Sequence, residues 1–203
     1  MNEPSTHHIT HLLERIGQGD SKAQQALFES LYSELRSLAE AKLRGEQPDC
    51  LLQPTMLVHE AYLRIFGEPA KVESFENRRH FFAAMARAMQ QVLVDYARRR
   101  LAQKRQAHQH PAAAEPAPTQ EPALKARCEE ILQVDECLKR LEEEEPLAAR
   151  VVQMRFFAGY TMAETAQTLG VSLRTAQRLW NFAQARLRQW MTRALSDPEG
   201  PGR

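Results

Sequence analysis

Residues 106–126, QAHQHPAAAEPAPTQEPALKA, cannot belong to a hydrophobic core. They hold four prolines and seven alanines, and Leu124 is their one large aliphatic residue. Such a stretch has too little apolar surface to offset the entropy of ordering it, and its prolines favour an extended spacer. The chain of 203 residues is therefore divided before any element is placed. The expected organisation is a first domain over residues 1–105, a flexible Pro/Ala-rich linker over 106–126 and a second domain over 127–195.

Both flanks carry helical periodicity, and no alternating strand pattern stands out. Ile9, Leu12, Leu13 and Ile16 recur at helical spacing up to Gly17. Ser21 and Gln24 read as a capping box opening a second helix, with Leu27, Leu31, Leu35 and Leu38 on one face and an end near Gly45. A third helix is expected over about Thr55 to Phe66, stopping at Gly67, and then a loop to Glu76. Asn77 reads as the N-cap of a long fourth helix reaching about Lys104. Beyond the linker, Ile131, Val134, Leu138 and Leu141 share a face, and Pro146 follows an acidic run at the start of the next helix. Thr161 with Glu164 forms a capping box for a short helix ending at Gly170, and Ser172 caps a last helix through about Ala194. The fold class is all-α, with two small helical domains.

Composition excludes several classes. Lys plus Arg number 27 and Asp plus Glu 26, so overall charge predicts no partner. No apolar run approaches the roughly 20 residues of a membrane-spanning helix. The first residues, MNEPSTHHIT, lack the basic and apolar regions of a secretory signal, so the expected location is cytoplasmic with no membrane partner. Cys50, Cys128 and Cys137 show no CxxC spacing, so reduced thiols are expected rather than disulfides or zinc ligands. His59-Glu60 begins like a zinc-protease motif, but Leu63 stands where the second histidine belongs. His7 and His11 lie one helical turn apart without a matching carboxylate or thiolate. No phosphate-binding glycine loop or nucleophile elbow occurs. Neither enzymatic activity nor a metal or other cofactor is expected.

Two segments carry functional chemistry. Thr161 to Leu187 reads as a helix-turn-helix. On its second helix Ala176, Leu179, Trp180, Ala183, Leu187 and Trp190 form an apolar stripe. Arg174, Gln177, Arg178 and Asn181 lie on another face, and those side chains can bond guanine or adenine edges in a major groove. The plain alternative is a helical hairpin with a solvated basic face. The second segment is the fourth helix. Residues 78–105 hold eight Lys or Arg against one acid, Asp95, a local net of +7. Basic charge supplies phosphate affinity, and Phe81, Phe82 or Tyr96 could stack on an unpaired base. Phe82, Met85, Met89, Val92 and Tyr96 read equally as a core stripe. Residues 127–145 hold eight acids against three bases, ordinarily a solvated face.

The ordered set LFESLYSELRSLAEAKL, LQPTMLVHEAYLRIF, NRRHFFAAMARAMQQVLVDYARRR and the helix-turn-helix resembles bacterial extracytoplasmic-function sigma factors of the sigma-70 family. The resemblance covers residues 8–105 and 127–193. It implies an alternative-type sigma factor whose partners are core RNA polymerase and promoter DNA. A stand-alone helix-turn-helix regulator is the alternative reading. The resemblance further implies that the third helix faces polymerase through Val58, Glu60, Tyr62, Leu63 and Arg64. It places Arg87, Arg98, Arg99 and Arg100 on −10 DNA phosphates, near a loop over 67–76 that captures a flipped base. It places Ser172, Arg174, Thr175, Gln177, Arg178 and Asn181 at the −35 element.

One departure stands out. Family members usually carry Asp-Ala-Glu-Asp before the polymerase-facing helix, where this chain has Gln53-Pro54-Thr55-Met56, as in a subgroup lacking the acidic stretch. Thr55 thus stands at an acid's position near a helix N-terminus. A phosphate there would add about −1.5 to −2 charge. A Ser/Thr kinase acting on Thr55 is one reading, and a simple N-cap role for Thr55 is the other. An anti-sigma protein is a further partner such a factor can have.

Overall fold

A computed structural model describes residues 6–43, 52–67, 74–109, 121–157 and 159–196. Among these residues the regular elements are all helical: α1 (Thr6–Gly17), α2 (Ser21–Lys42), α3 (Pro54–Phe66), α4 (Arg78–Gln109), α5 (Glu121–Glu144), α6 (Pro146–Val152), α7 (Met162–Thr168) and α8 (Leu173–Ser196). One π-helical turn, Gln153–Phe157, follows α6. The chain forms two compact units, Met1–Leu93 and Val94–Arg203, so the division runs through α4. Among the described residues no helix is long and apolar enough to cross a membrane.

In the first unit the periodic stripes become the core. Ile9, Leu12, Leu13 and Ile16 of α1 are buried, as are Leu27, Leu31 and Leu35 of α2. Ala39 continues the α2 stripe, while Leu38 is half-buried at its margin. α2 packs on both α1 and α3. Its cap is a correction to the sequence reading: Asp20, not the Ser21–Gln24 pair, closes the helix start. The Asp20 Oδ1 accepts from the backbone N–H of Lys22 at 2.9 Å and of Ala23 at 3.3 Å. Its Oδ2 accepts from Arg15 Nε at 2.9 Å. A carboxylate that also captures an arginine is a better cap than a serine one residue later.

α3 begins with Gln53 as N-cap and Pro54 in its first turn, so Thr55 lies just inside the helix and is not the cap. Asn77 caps α4 as expected, its Oδ1 accepting from the His80 backbone N–H at 2.9 Å. Phe81, Met85 and Met89 are fully buried. The Phe81 ring lies 5.4 Å from Phe75 and 6.3 Å from Phe66, so it serves packing and not base stacking. Phe82 and Tyr96 are half-buried.

In the second unit α5 and α6 both pack on α8, and α7 packs on α8 as well. Pro146 starts α6 as expected. Cys128 and Cys137 are buried and not joined in a disulfide, and burial together with Glu136 raises the Cys137 pKa. Residues 106–109 end α4 and 121–126 begin α5. Alanine, glutamine and glutamate are strong helix formers, and a proline is tolerated in a first helical turn, so the expected linker composition extends both helices. Its centre lies outside the described residues, as do most of the loop after Gly67, Cys50 and the last residues of the tail; α2 ends at Lys42 with Leu43 as its C-cap, short of the expected Gly45.

A charged knot ties α5 to α8. The guanidinium groups of Arg140 and Arg186 lie 4.6 Å and 4.9 Å from the Trp190 ring centroid. Glu144 accepts from Arg140 Nε at 2.9 Å and also pairs with Arg186. Those two hydrogen bonds, Arg186 first, hold the Glu144 carboxyl below its ordinary value of 4.5. A lowered folded pKa stabilises the fold above the unfolded value, and that stabilisation is lost as pH falls through the folded one. Glu144→Gln should therefore flatten the acid limb of unfolding below pH 4.5, followed by circular dichroism. An unchanged limb would contradict the assignment.

Candidate functional site

The residues that sequence reasoning singled out fall into three sets. The most fully built is α7, the turn after it and α8. Thr161 starts α7 with a reciprocal box: its Oγ1 accepts from Glu164 N–H at 3.3 Å, and its own N–H donates to Glu164 Oε2 at 2.9 Å. α7 ends in a Schellman arrangement. Gly170 N–H donates to Gln167 O at 3.2 Å, and Val171 N–H donates to Ala166 O at 3.0 Å. Gly170 sits at φ +65°, a conformation that a side chain would strain. Ser172 then caps α8, its Oγ accepting from Thr175 N–H at 3.1 Å.

This turn sets which face of α8 remains outside. Ala176, Leu179, Ala183 and Trp190 are buried, and Trp180 is half-buried. Arg174, Gln177, Arg178 and Asn181 are all exposed. At about 100° per residue they span about 100° of helix surface, one contiguous strip. Gln177 Nε2 donates to Asn181 Oδ1 at 3.1 Å, which orients both amides. Among the described residues neither Arg174 nor Arg178 has an ion-pair partner, so their donor forks are uncommitted. Ser172 and Thr175 differ from these four. Their hydroxyls lie 2.8 Å apart within the cap, and Thr175 is half-buried.

The second surface is the outer face of α3. Glu60, Leu63 and Arg64 are exposed on it. Val58 is fully buried and belongs to the core, so it offers nothing to a partner. Tyr62 is half-buried, its ring 4.4 Å from Phe28 and 4.9 Å from Phe66, and burial raises its hydroxyl pKa. The sequence reading missed Met56 and His59. Met56 is 52% exposed and Leu63 58%, unusual for large apolar side chains. Their seven-residue spacing puts them on one face with His59 and Glu60, and that spacing was the available signal. His59 Nδ1 lies 2.7 Å from Thr55 O. Thr55 itself is half-buried.

The third set of residues is basic and belongs to α4, on both sides of the unit boundary. Arg87 is exposed in the first unit, and Arg98, Arg99 and Arg100 are exposed in the second. Arg98 is not free: its Nη2 donates to Asp135 Oδ2 on α5 at 3.2 Å. Lys139 also reaches that carboxylate, at 2.8 Å. Arg99 Nε donates to Asp95 O at 3.3 Å. The acidic run therefore supplies a partner to the basic helix, a pairing that charge counts alone did not reveal. Among the described residues no group of His, Cys, Asp and Glu is arranged to hold a metal ion.

Comparison with protein-family models finds one described as ECF sigma factor, matching residues 6–197. Neither the curated proteins nor the solved structures include a match.

Proposed function

The chain belongs to the ECF sigma factor family, and from that membership we infer how its surfaces divide the work of transcription initiation. Proteins of this family join core RNA polymerase and direct it to promoter DNA, so this one is a transcription regulator and not of a known enzyme class. The observation carrying the finer reading is the exposed strip on α8, whose two arginines have no ion-pair partner among the described residues.

In this reading residues 127–195 form the −35-binding domain, with α7 and α8 as its helix-turn-helix. Arg174, Gln177, Arg178 and Asn181 read bases, while Ser172 and Thr175 hold the start of α8. Residues 1–105 form the polymerase- and −10-binding domain, joined to the other through 106–126. Leu63 and Glu60, flanked by Arg64, meet polymerase, and Tyr62 supports that face from inside. Arg87, Arg98, Arg99 and Arg100 neutralise −10 phosphates. The test is transcription from a matched promoter by core polymerase with and without this chain. Arg174→Ala or Arg178→Ala should cost about 1–3 kcal/mol at −35 and relax the preference at one base pair. Unchanged preference would make these phosphate contacts.

Thr55 is the proposed target of a Ser/Thr kinase. Its place in the first turn of α3 supports this, because a phosphate there meets the positive end of the helix dipole. An anti-sigma partner remains a proposal of the family reading alone. Thr55→Glu should bind core polymerase more tightly than the parent chain, and Thr55→Ala should fail to respond to kinase treatment. Equal binding by all three forms would remove the switch.

A further inference from the structure

We infer that Arg155 is a positioning residue for α8, fixing the rotation at which its exposed strip meets promoter DNA. The inference rests on the reading of α8 as the −35 helix.

Arg155 lies in the π-helical turn between α6 and α7, outside the exposed strip. Its Nη1 donates to the carbonyl of Tyr160 at 2.9 Å, the residue immediately before the N-cap of α7. Its guanidinium also lies 5.5 Å from the centroid of Trp180, in the second turn of α8. One side chain therefore joins the exit of the π turn, the start of α7 and the body of α8. Tyr160 N–H reaches back to Met154 O at 3.0 Å, so the carbonyl that Arg155 grips belongs to a closed loop.

Packing alone gives a poor account of this arginine. Its Nε is sealed from solvent, with no hydrogen-bond partner among the described residues. An unpaired buried donor is costly, and an apolar side chain of similar length would avoid that cost. A flat cation with a fork of donors does what methionine cannot: it holds a ring and a carbonyl in fixed relation. That relation governs what α8 presents. Side-chain tips lie about 6 Å from a helix axis, so a 20° rotation of α8 moves them by about 2 Å. Base-reading hydrogen bonds do not survive a displacement of that size.

The test compares the parent chain with Arg155→Met and Arg155→Lys, each with core polymerase, on a matched promoter and on single-base variants of its −35 element. Folding is monitored by thermal melting. In Arg155→Met the preference for the matched element should fall by about tenfold while the folded fraction at assay temperature stays that of the parent. Arg155→Lys should fall between, because an ammonium reaches the carbonyl but does not lie flat on the ring. Trp180→Leu, which leaves Arg155 in place, should reproduce the loss and keeps the test decisive should Arg155→Met melt early. Unchanged preference in Arg155→Met and Trp180→Leu overturns the inference. So does weakening that is equal on every promoter and tracks the unfolded fraction, or full restoration by lysine, which would make the role charge alone. A parent chain with no −35 preference would instead overturn the reading of α8 itself.

Discussion

Leu63→Glu should weaken assembly with core RNA polymerase by about 30-fold to 1,000-fold, the equivalent of about 2–4 kcal/mol at an interface hot spot. The expectation follows from exposure. Leu63 and Met56 are more than half exposed on one face of α3, and they are two of the few large apolar side chains so placed among the described residues. A partner that covers them gains their burial, and a carboxylate in the middle of the covered patch must be desolvated without a built partner. The same exposure makes the substitution mild for the free chain, since surface changes usually stay within about 0.5 kcal/mol. Stability and assembly should therefore separate: an unchanged melt with a lost complex, measured by fluorescence anisotropy against purified core enzyme. Glu60→Gln on the same face should lose far less. If Leu63→Glu binds within about threefold of the parent, polymerase does not use this face, and the assignment of α3 fails.

Trp190→Ala should cost the second unit about 3–5 kcal/mol, the range for deleting a buried tryptophan. Trp190 is 7% exposed, and the guanidinium groups of both Arg140 and Arg186 lie against its ring. Removing the ring opens a cavity at the α5–α8 contact. It also strips the apolar cover from an arrangement in which Arg186 Nε already lacks a hydrogen-bond partner among the described residues. For a unit of this size the melting temperature should drop by about 12 °C or more. Arg140→Met, which keeps much of the stem but loses the charge over the ring, should cost only about 1 kcal/mol. Thermal unfolding by circular dichroism decides the point. A loss for Trp190→Ala no larger than for Arg140→Met would mean that the ring is not what holds α5 to α8.

Much of the exposed strip on α8 was legible in the sequence because each part of its signal is local. A capping box, a glycine at a helix end and a serine cap determine where two helices stop and start. The 3.6-residue period then separates Arg174, Gln177, Arg178 and Asn181 from the buried Ala176, Leu179 and Ala183. The reading was weaker wherever a local rule had competitors. Ser21 and Gln24 satisfied a capping pattern, yet Asp20 took the cap because Arg15 completes it. Val58 lay in a motif that the resemblance places toward polymerase, yet its position turns it into the core.

The sequence by itself determined that the chain is all-helical, where most helices begin, which faces are apolar and to which family it belongs, since these follow from periodicity, caps and ordered motifs along a single strand of text. Only the tertiary structure decided which charges are free and which are taken. Arg98 meets Asp135 across 37 positions of chain, Arg186 meets Glu144 across 42, and Arg155 reaches Trp180 on a different helix. Such pairings depend on the angle at which helices pack, which is set by the summed shape of many buried side chains and is written in no local stretch of sequence.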